Sequence, residues 1–205
     1  MKVKVNNEWV DVPVFKVNTG VPLAQVQAIL GGTDGELVIP DGVTELRDNA
    51  LHRYPHIQRV VLPSSITRIG NSVFQYASID NVVLSPNVTA MGTYVFAYGT
   101  FDTVELNCSR ISLPAYTFNW TSVRIVKVNL PNIREIGVGA FASAKDVEEI
   151  DFSSYDHVVP LAFTNSFVNI PETCKIIVPA ALYDAWTTAT NWATLVAQGY
   201  NFVAR

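Results

Sequence analysis

His52 and His56 stand four residues apart, a spacing that on a helix turns two imidazoles to one face as a metal pair. Pro55 between them disfavours that helix, so both are expected to be surface turn histidines, and His157 stands alone. Asp34, Glu36 and Asp41 are carboxylates of the kind a calcium loop uses, but without its alternating ligand pattern, and they read as solvated turn acids. Gly31-Gly32-Thr33-Asp34-Gly35 lacks the lysine and the strong following helix of a phosphate loop. Cys108 and Cys174 are too few for a disulfide framework or a metal site and read as reduced, buried small hydrophobes. With no nucleophile and base, no paired carboxylates and no metal cluster at a convincing spacing, the expectation is a non-enzyme with no cofactor.

What does recur is apolar. Leu51, Phe74, Phe96, Phe118, Phe141 and Phe163 follow one another at steps of 23, 22, 22, 23 and 22 residues. A fixed period of this length implies one structural unit stacked along the chain. Two residues after three of these positions stand Tyr76, Tyr98 and Trp120, which would align as an aromatic stripe on consecutive coils. Such a row suits carbohydrate stacking or a protein interface, because aromatic rings bury much area at little entropic cost. The competing reading is that the rings pack between coils and enlarge the core.

The elements that must position the stripe follow from the repeat. LPSSITRIGNSVF (Leu62 to Phe74), LSPNVTAMGTYVF (Leu84 to Phe96) and LNCSRISLPAYTF (Leu106 to Phe118) share one pattern. A first apolar pair such as Val60 and Leu62 fits a short strand, a turn follows at Pro63-Ser64-Ser65, and Ile66 and Ile69 fit a second extended piece. The phenylalanine closes the unit in the core. One such coil cannot bury its apolar residues alone, so stability must come from stacking.

The expected organisation is an N-terminal segment over 1–36, a solenoid over 37–179 and a cap over 180–205. Val3 to Val5 and Trp9 to Phe15 read as a β-hairpin joined through Asn6-Asn7-Glu8, with Val3, Val5, Trp9, Val12 and Phe15 as candidate docking residues. Residues 21–30 read as a short helix ended by Gly31-Gly32. In the cap, Leu182, Ala185 and Trp186 fall on one helical face. Asn191 can cap a second helix carrying Leu195 and Val196, with Gly199 as its stop.

IPDGVTELRDNAL (Ile39 to Leu51) and LPSSITRIGNSVF resemble the BspA-like leucine-rich repeats, a phenylalanine-containing class, over about Leu37 to Pro179. The resemblance implies a strand-dominated α/β-type solenoid of about six to seven coils. Such repeats occur in bacterial surface adhesins, parasite surface proteins and phage-encoded proteins. Ala77, Gly99 and Ala144 stand where the class usually carries its cysteine ladder. Cys174 to Val196 looks like the tail that closes many such proteins in gut bacteria and their phages, and Val3 to Phe15 is similar to the leading strands of phage tail, baseplate and fibre-associated proteins.

Charge is sparse, at 16% of residues with a net charge of -4, and there is no basic run of the kind nucleic acid requires. The sequence has no stretch near the roughly 20 apolar residues of a membrane span. The opening residues never supply the apolar core of a signal peptide. The expectation is therefore a binding module present in multiple copies on a virion, with other virion proteins or a cell-surface protein or glycan as partners. The alternative is a bacterial cell-surface or secreted adhesin. Asn87, Asn107 and Asn119 match the glycan acceptor pattern and read as polar turn residues. Arg47, Arg53, Arg59 and Arg68 would make a mildly basic edge on the early repeats.

Overall fold

Residues 2–5, 8–11, 35–39, 43–109 and 112–205 are described by a computed structural model. Its principal element is an eight-stranded sheet to which successive coils add one strand each. In chain order these are β3 (Glu36–Val38), β5 (Ile57–Val61), β7 (Ile79–Leu84), β9 (Thr100–Leu106), β10 (Ser122–Val128), β11 (Glu149–Asp151), β12 (Lys175–Val178) and β13 (Asn201–Ala204). All neighbours in it run parallel. A second, three-stranded parallel ladder is formed by β4 (Glu45–Leu46), β6 (Arg68–Ile69) and β8 (Ala90–Met91). Parallel strands added in chain order need a crossover between each pair, an arrangement that fits a solenoid of stacked repeats.

Register explains why the repeat is so regular. Leu37, Val60, Val82, Val104, Val126, Ile150 and Ile176 pair in one continuous row, and every one is buried. A slip of one residue would turn that whole row to the opposite face of the sheet. Behind it, Phe74, Phe96, Phe118 and Phe141 stack ring on ring at 5.2, 5.1 and 5.3 Å, with planes within 7° of parallel. Each fully buried ring contributes about 1.5–3 kcal/mol relative to exposure.

The last rung is not Phe163. That residue is 53% exposed, and Phe167 takes its place, 5.1 Å from the ring of Phe141. The final interval is therefore 26 residues, and a short 3-10 turn over Thr164–Phe167 absorbs the extra length.

The C-terminal segment is also more than helical. Helices α1 (Tyr183–Thr188) and α2 (Trp192–Ala197) form as the spacing predicts, but the chain then returns to the sheet as β13. Trp186 and Trp192 are fully buried and lie 4.9 Å apart, against Phe152, whereas Ala185 and Val196 are exposed. Asn191 occupies the N-cap position of α2, yet its side chain makes no cap bond. Its Nδ2 donates to the Leu161 carbonyl at 2.7 Å, which ties the cap to the coil below.

At the other end, β1 (Lys2–Val5) and β2 (Glu8–Asp11) pair antiparallel with Val3 opposite Val10 and Val5 opposite Glu8, and β1 lies against β3. The second strand of this hairpin begins at Glu8, one residue before the expected start. Val12, Phe15 and the expected helix over 21–30 lie outside the described residues.

Polar residues also bond from coil to coil. Arg59 pairs with Glu36, Arg68 with Glu45, Arg124 with Asp102 and Lys127 with Glu105, so Arg59 and Arg68 do not form a free basic edge. The Asn71 backbone N–H and Nδ2 donate to the Asp48 carboxylate at 2.8 and 3.1 Å, and the Thr93 N–H donates to Asn71 Oδ1 at 2.9 Å. The bonds from Asn71, the backbone N–H first, hold the Asp48 carboxyl below its ordinary value. A depressed carboxylate stabilises the fold above its unfolded pKa and ceases to do so as pH falls through the folded value.

Two outcomes are expected. Phe167→Ala should destabilise by about 3–5 kcal/mol in urea titration, while Phe163→Ala should stay within about 0.5 kcal/mol of the parent; the reverse order would restore Phe163 to the ladder. Asp48→Asn should lose less thermal stability than the parent as pH falls below about 4. Equal acid sensitivity in the two proteins would remove Asp48 as a contributor.

Candidate functional site

The turn that carries each ladder residue is built the same way in coil after coil. The residue two positions after the rung adopts a left-handed backbone at Arg53, Tyr76, Tyr98, Trp120, Ser143 and Asn169, with φ between 55° and 59°. The residue two positions before it does likewise at Asn49, Ser72, Tyr94, Tyr116 and Gly139. Between these two kinks the backbone N–H groups reach the next coil. Tyr94, Phe96 and Tyr98 donate to the carbonyls of Ala115, Thr117 and Asn119, and Tyr116, Phe118 and Trp120 to those of Val138, Ala140 and Ala142. The left-handed residues thus satisfy the peptide groups of a buried turn.

Glycine takes this conformation without strain, whereas a residue with a Cβ is strained by about 1–2 kcal/mol. Five of these positions nevertheless hold large aromatics. Tyr76, Tyr98 and Trp120 are 45%, 41% and 48% exposed, so they form an outer row and do not enlarge the core. Tyr76 and Tyr98 stack at 5.0 Å with planes 16° apart. The Arg53 guanidinium lies 5.4 Å from the Tyr76 ring centre, and Lys145 Nζ lies 5.0 Å from that of Trp120. Neighbours therefore take a face contact of Tyr76, Tyr98 and Trp120, while each residue stays more than two-fifths exposed.

A second row escaped the sequence reading. Tyr94 and Tyr116 stack at 4.8 Å, and a Cβ at Gly139 would come within 2.6 Å of the Tyr116 ring, which packs over that glycine. The Tyr94 hydroxyl is pushed up from its ordinary pKa by burial first, then by Tyr116 and Tyr98. The available signal was the constant offset of two residues before each rung.

The other sequence candidates are accounted for in place. His52 meets Tyr76 edge-on at 5.6 Å, and burial followed by the Arg53 charge lowers its pKa. His56 bonds Asp80 and His157 bonds Asp156, at 2.9 and 2.7 Å. Among the described residues, no group of three or more His, Cys, Asp or Glu side chains is placed to hold a metal ion. Glu36 pairs with Arg59, whereas Asp34, Asp41 and the glycines 31–32 lie outside the described residues. Asn87 Nδ2 donates to Ser64 O at 2.7 Å, Asn119 Nδ2 to Ala142 O at 3.0 Å, and Asn107 Oδ1 accepts from Asn129, so all three acceptor-pattern asparagines bond to neighbouring coils. Val3, Val5 and Trp9 lie on the hairpin strands. No helix among the described residues is long and apolar enough to cross a membrane.

Cys108 and Cys174 are buried and unpaired, and burial pushes both thiols up to about 12. A thiol-specific colorimetric reagent at about pH 8 should leave both untouched in the native protein and titrate both after denaturation. Rapid native labelling would show that one of them opens to solvent.

A family model described as BspA type leucine rich repeat region matches the chain in six copies, over residues 35–124 and 111–187. The comparison with curated proteins found no match.

Proposed function

The chain belongs to the BspA-type leucine-rich-repeat family, and from that footing we propose that it is a non-enzymatic module for protein binding or adhesion whose aromatic row meets the partner. The observation that carries this reading is the presence of Tyr76, Tyr98 and Trp120, each more than two-fifths exposed, on left-handed backbone. The left-handed turn itself recurs from coil to coil, so what points to function is that exposed aromatic side chains occupy it here. Stacking between neighbours offsets part of the strain of that turn but does not account for the exposed surface.

The orientation of the rings favours a protein over a glycan. A pyranose stacks on an open ring face, and here one face of Tyr76 is covered by Tyr98 and another ring contact is taken by Arg53. Ring edges and phenolic hydroxyls suit a protein surface with alternating apolar and polar groups.

The setting we propose is a phage particle, with the N-terminal hairpin as the element that attaches the module. The likeness of Val3 to Phe15 to the leading strands of tail and fibre-associated proteins supports it. Deleting residues 1–17 should leave a folded solenoid that no longer enters particles, and undiminished incorporation would sink the hairpin's role. A bacterial surface adhesin is the competing setting, favoured if the protein is found on cells in the absence of any particle.

Asparagine tolerates the left-handed region, so the triple variant Tyr76→Asn, Tyr98→Asn, Trp120→Asn should fold with stability within about 1 kcal/mol of the parent. Its binding to bacterial cells should fall at least tenfold, measured with fluorescently labelled protein, while a glycan array stays blank for both forms. Unchanged cell binding by the folded variant would remove the row as a site.

A further inference from the structure

The cations of this solenoid fall into two sets. Arg59, Arg68, Arg124, Lys127 and Lys175 each pair with a carboxylate of a neighbouring coil, and Arg205 reaches Asp151 two strands away. Arg53 and Lys145 do not. Among the described residues neither has a carboxylate within ion-pair distance, and each lies over an aromatic ring at opposite ends of the row, Arg53 over Tyr76 and Lys145 over Trp120. Both are exposed. Arg134 is likewise exposed and outside every ion pair among the described residues, but it lies over no ring there, whereas Arg53 and Lys145 bracket the exposed aromatic row with positive charge.

We propose that the aromatic row is the seat of an acidic, extended peptide segment of a partner protein, lying along the solenoid with carboxylates at Arg53 and Lys145. This rests on the reading of the row as the binding face and names its partner class. Geometry selects the occupant. Arg53, Tyr76, Tyr98 and Trp120 lie on consecutive coils and Lys145 belongs to the next, so the two charges stand roughly 20 Å apart at ~4.8 Å per coil. An extended peptide covers that distance in about six residues. Between its ends it would present amides to the tyrosine hydroxyls and apolar side chains to the ring edges. Single-stranded nucleic acid, the other long polyanion, binds by stacking bases on open ring faces. Here Tyr76 is stacked on Tyr98 and faced by Arg53, and Trp120 is faced by Lys145, which leaves less open face than such stacking uses.

The test is selection of a random 12-residue peptide display library on the immobilised full chain, followed by affinity measurement of the enriched peptides as synthetic compounds. Enriched sequences should carry an excess of Asp and Glu, with two acidic positions about six residues apart. Their Kd should weaken at least tenfold in the double variants Arg53→Gln, Lys145→Gln and Arg53→Glu, Lys145→Glu, and also when salt rises from about 0.05 to 0.5 M. Circular dichroism and urea titration establish that each variant is folded. Enrichment without acidic excess, or acidic peptides that bind the double variants as tightly as the parent, would overturn the proposal, as would no enrichment above bare support. If the triple asparagine variant loses the peptides while the charge variants keep them, the row stands as a binding face and the acidic partner is overturned. Heparin serves as the competing polyanion. Heparin binding that depends on Arg53 and Lys145, with no peptide enriched, would overturn the peptide in favour of an anionic polysaccharide.

Discussion

The distance between one coil and the next is the constraint on which everything else depends. It is set by parallel-strand hydrogen bonding at about 4.8 Å, and the buried rings conform to it, with spacings of 5.1 to 5.3 Å from Phe74 to Phe167. Because the interior phenylalanine and the strand row share one repeat distance, a side chain at a given place in one coil meets its counterpart in the next. Asp48 meets Asn71, Asn71 meets Thr93, and Asn107 meets Asn129 for this reason. Individually such exposed contacts contribute little. Their effect lies in register, since each is lost if a coil slips.

The same repeat makes surface pattern a direct transcript of sequence pattern. An aromatic at one offset becomes a stack when the next coils carry aromatics at that offset, as at Tyr76 and Tyr98 or Tyr94 and Tyr116. The left-handed turn adds a physical filter. At those positions glycine or asparagine would relieve strain, so tyrosine and tryptophan persist there only if their side chains contribute something that the turn itself does not require. Gly139 marks the place where the inner row gives way, its missing side chain being filled by the Tyr116 ring.

What could be read from the sequence follows from this logic. The period of 22 to 23 residues exposed the ladder from Leu51 to Phe141, because a core that repeats in space must repeat in sequence. It failed at Phe163, where a phenylalanine happens to keep the period while the chain lengthens by four residues and seats Phe167. Strand β13 was equally hidden. Asn201–Ala204 is four residues long, follows two helices, and becomes a strand because β12 offers it an edge. The outer row was legible as an offset of two after the rung, but its exposure was not, because core enlargement and display share the same sequence signature. The position of Asn191 predicts a helix cap; its amide instead goes to Leu161, a choice only tertiary packing can dictate.

Stacking along the rod also limits what the surface can offer. A ring held parallel to its neighbour at the coil spacing has its faces occupied, so a longer row presents more edge and hydroxyl without opening more face. Only the ends differ, because there a face would be left uncovered. In this chain both ends are closed by cations, Arg53 over Tyr76 and Lys145 over Trp120. The row offers charge at its two limits and mixed apolar and hydroxyl surface between them. That combination has the length and polarity of a short extended segment, and the fold supplies it at no cost to the core because every rung of the ladder stays buried from Leu51 to Phe167.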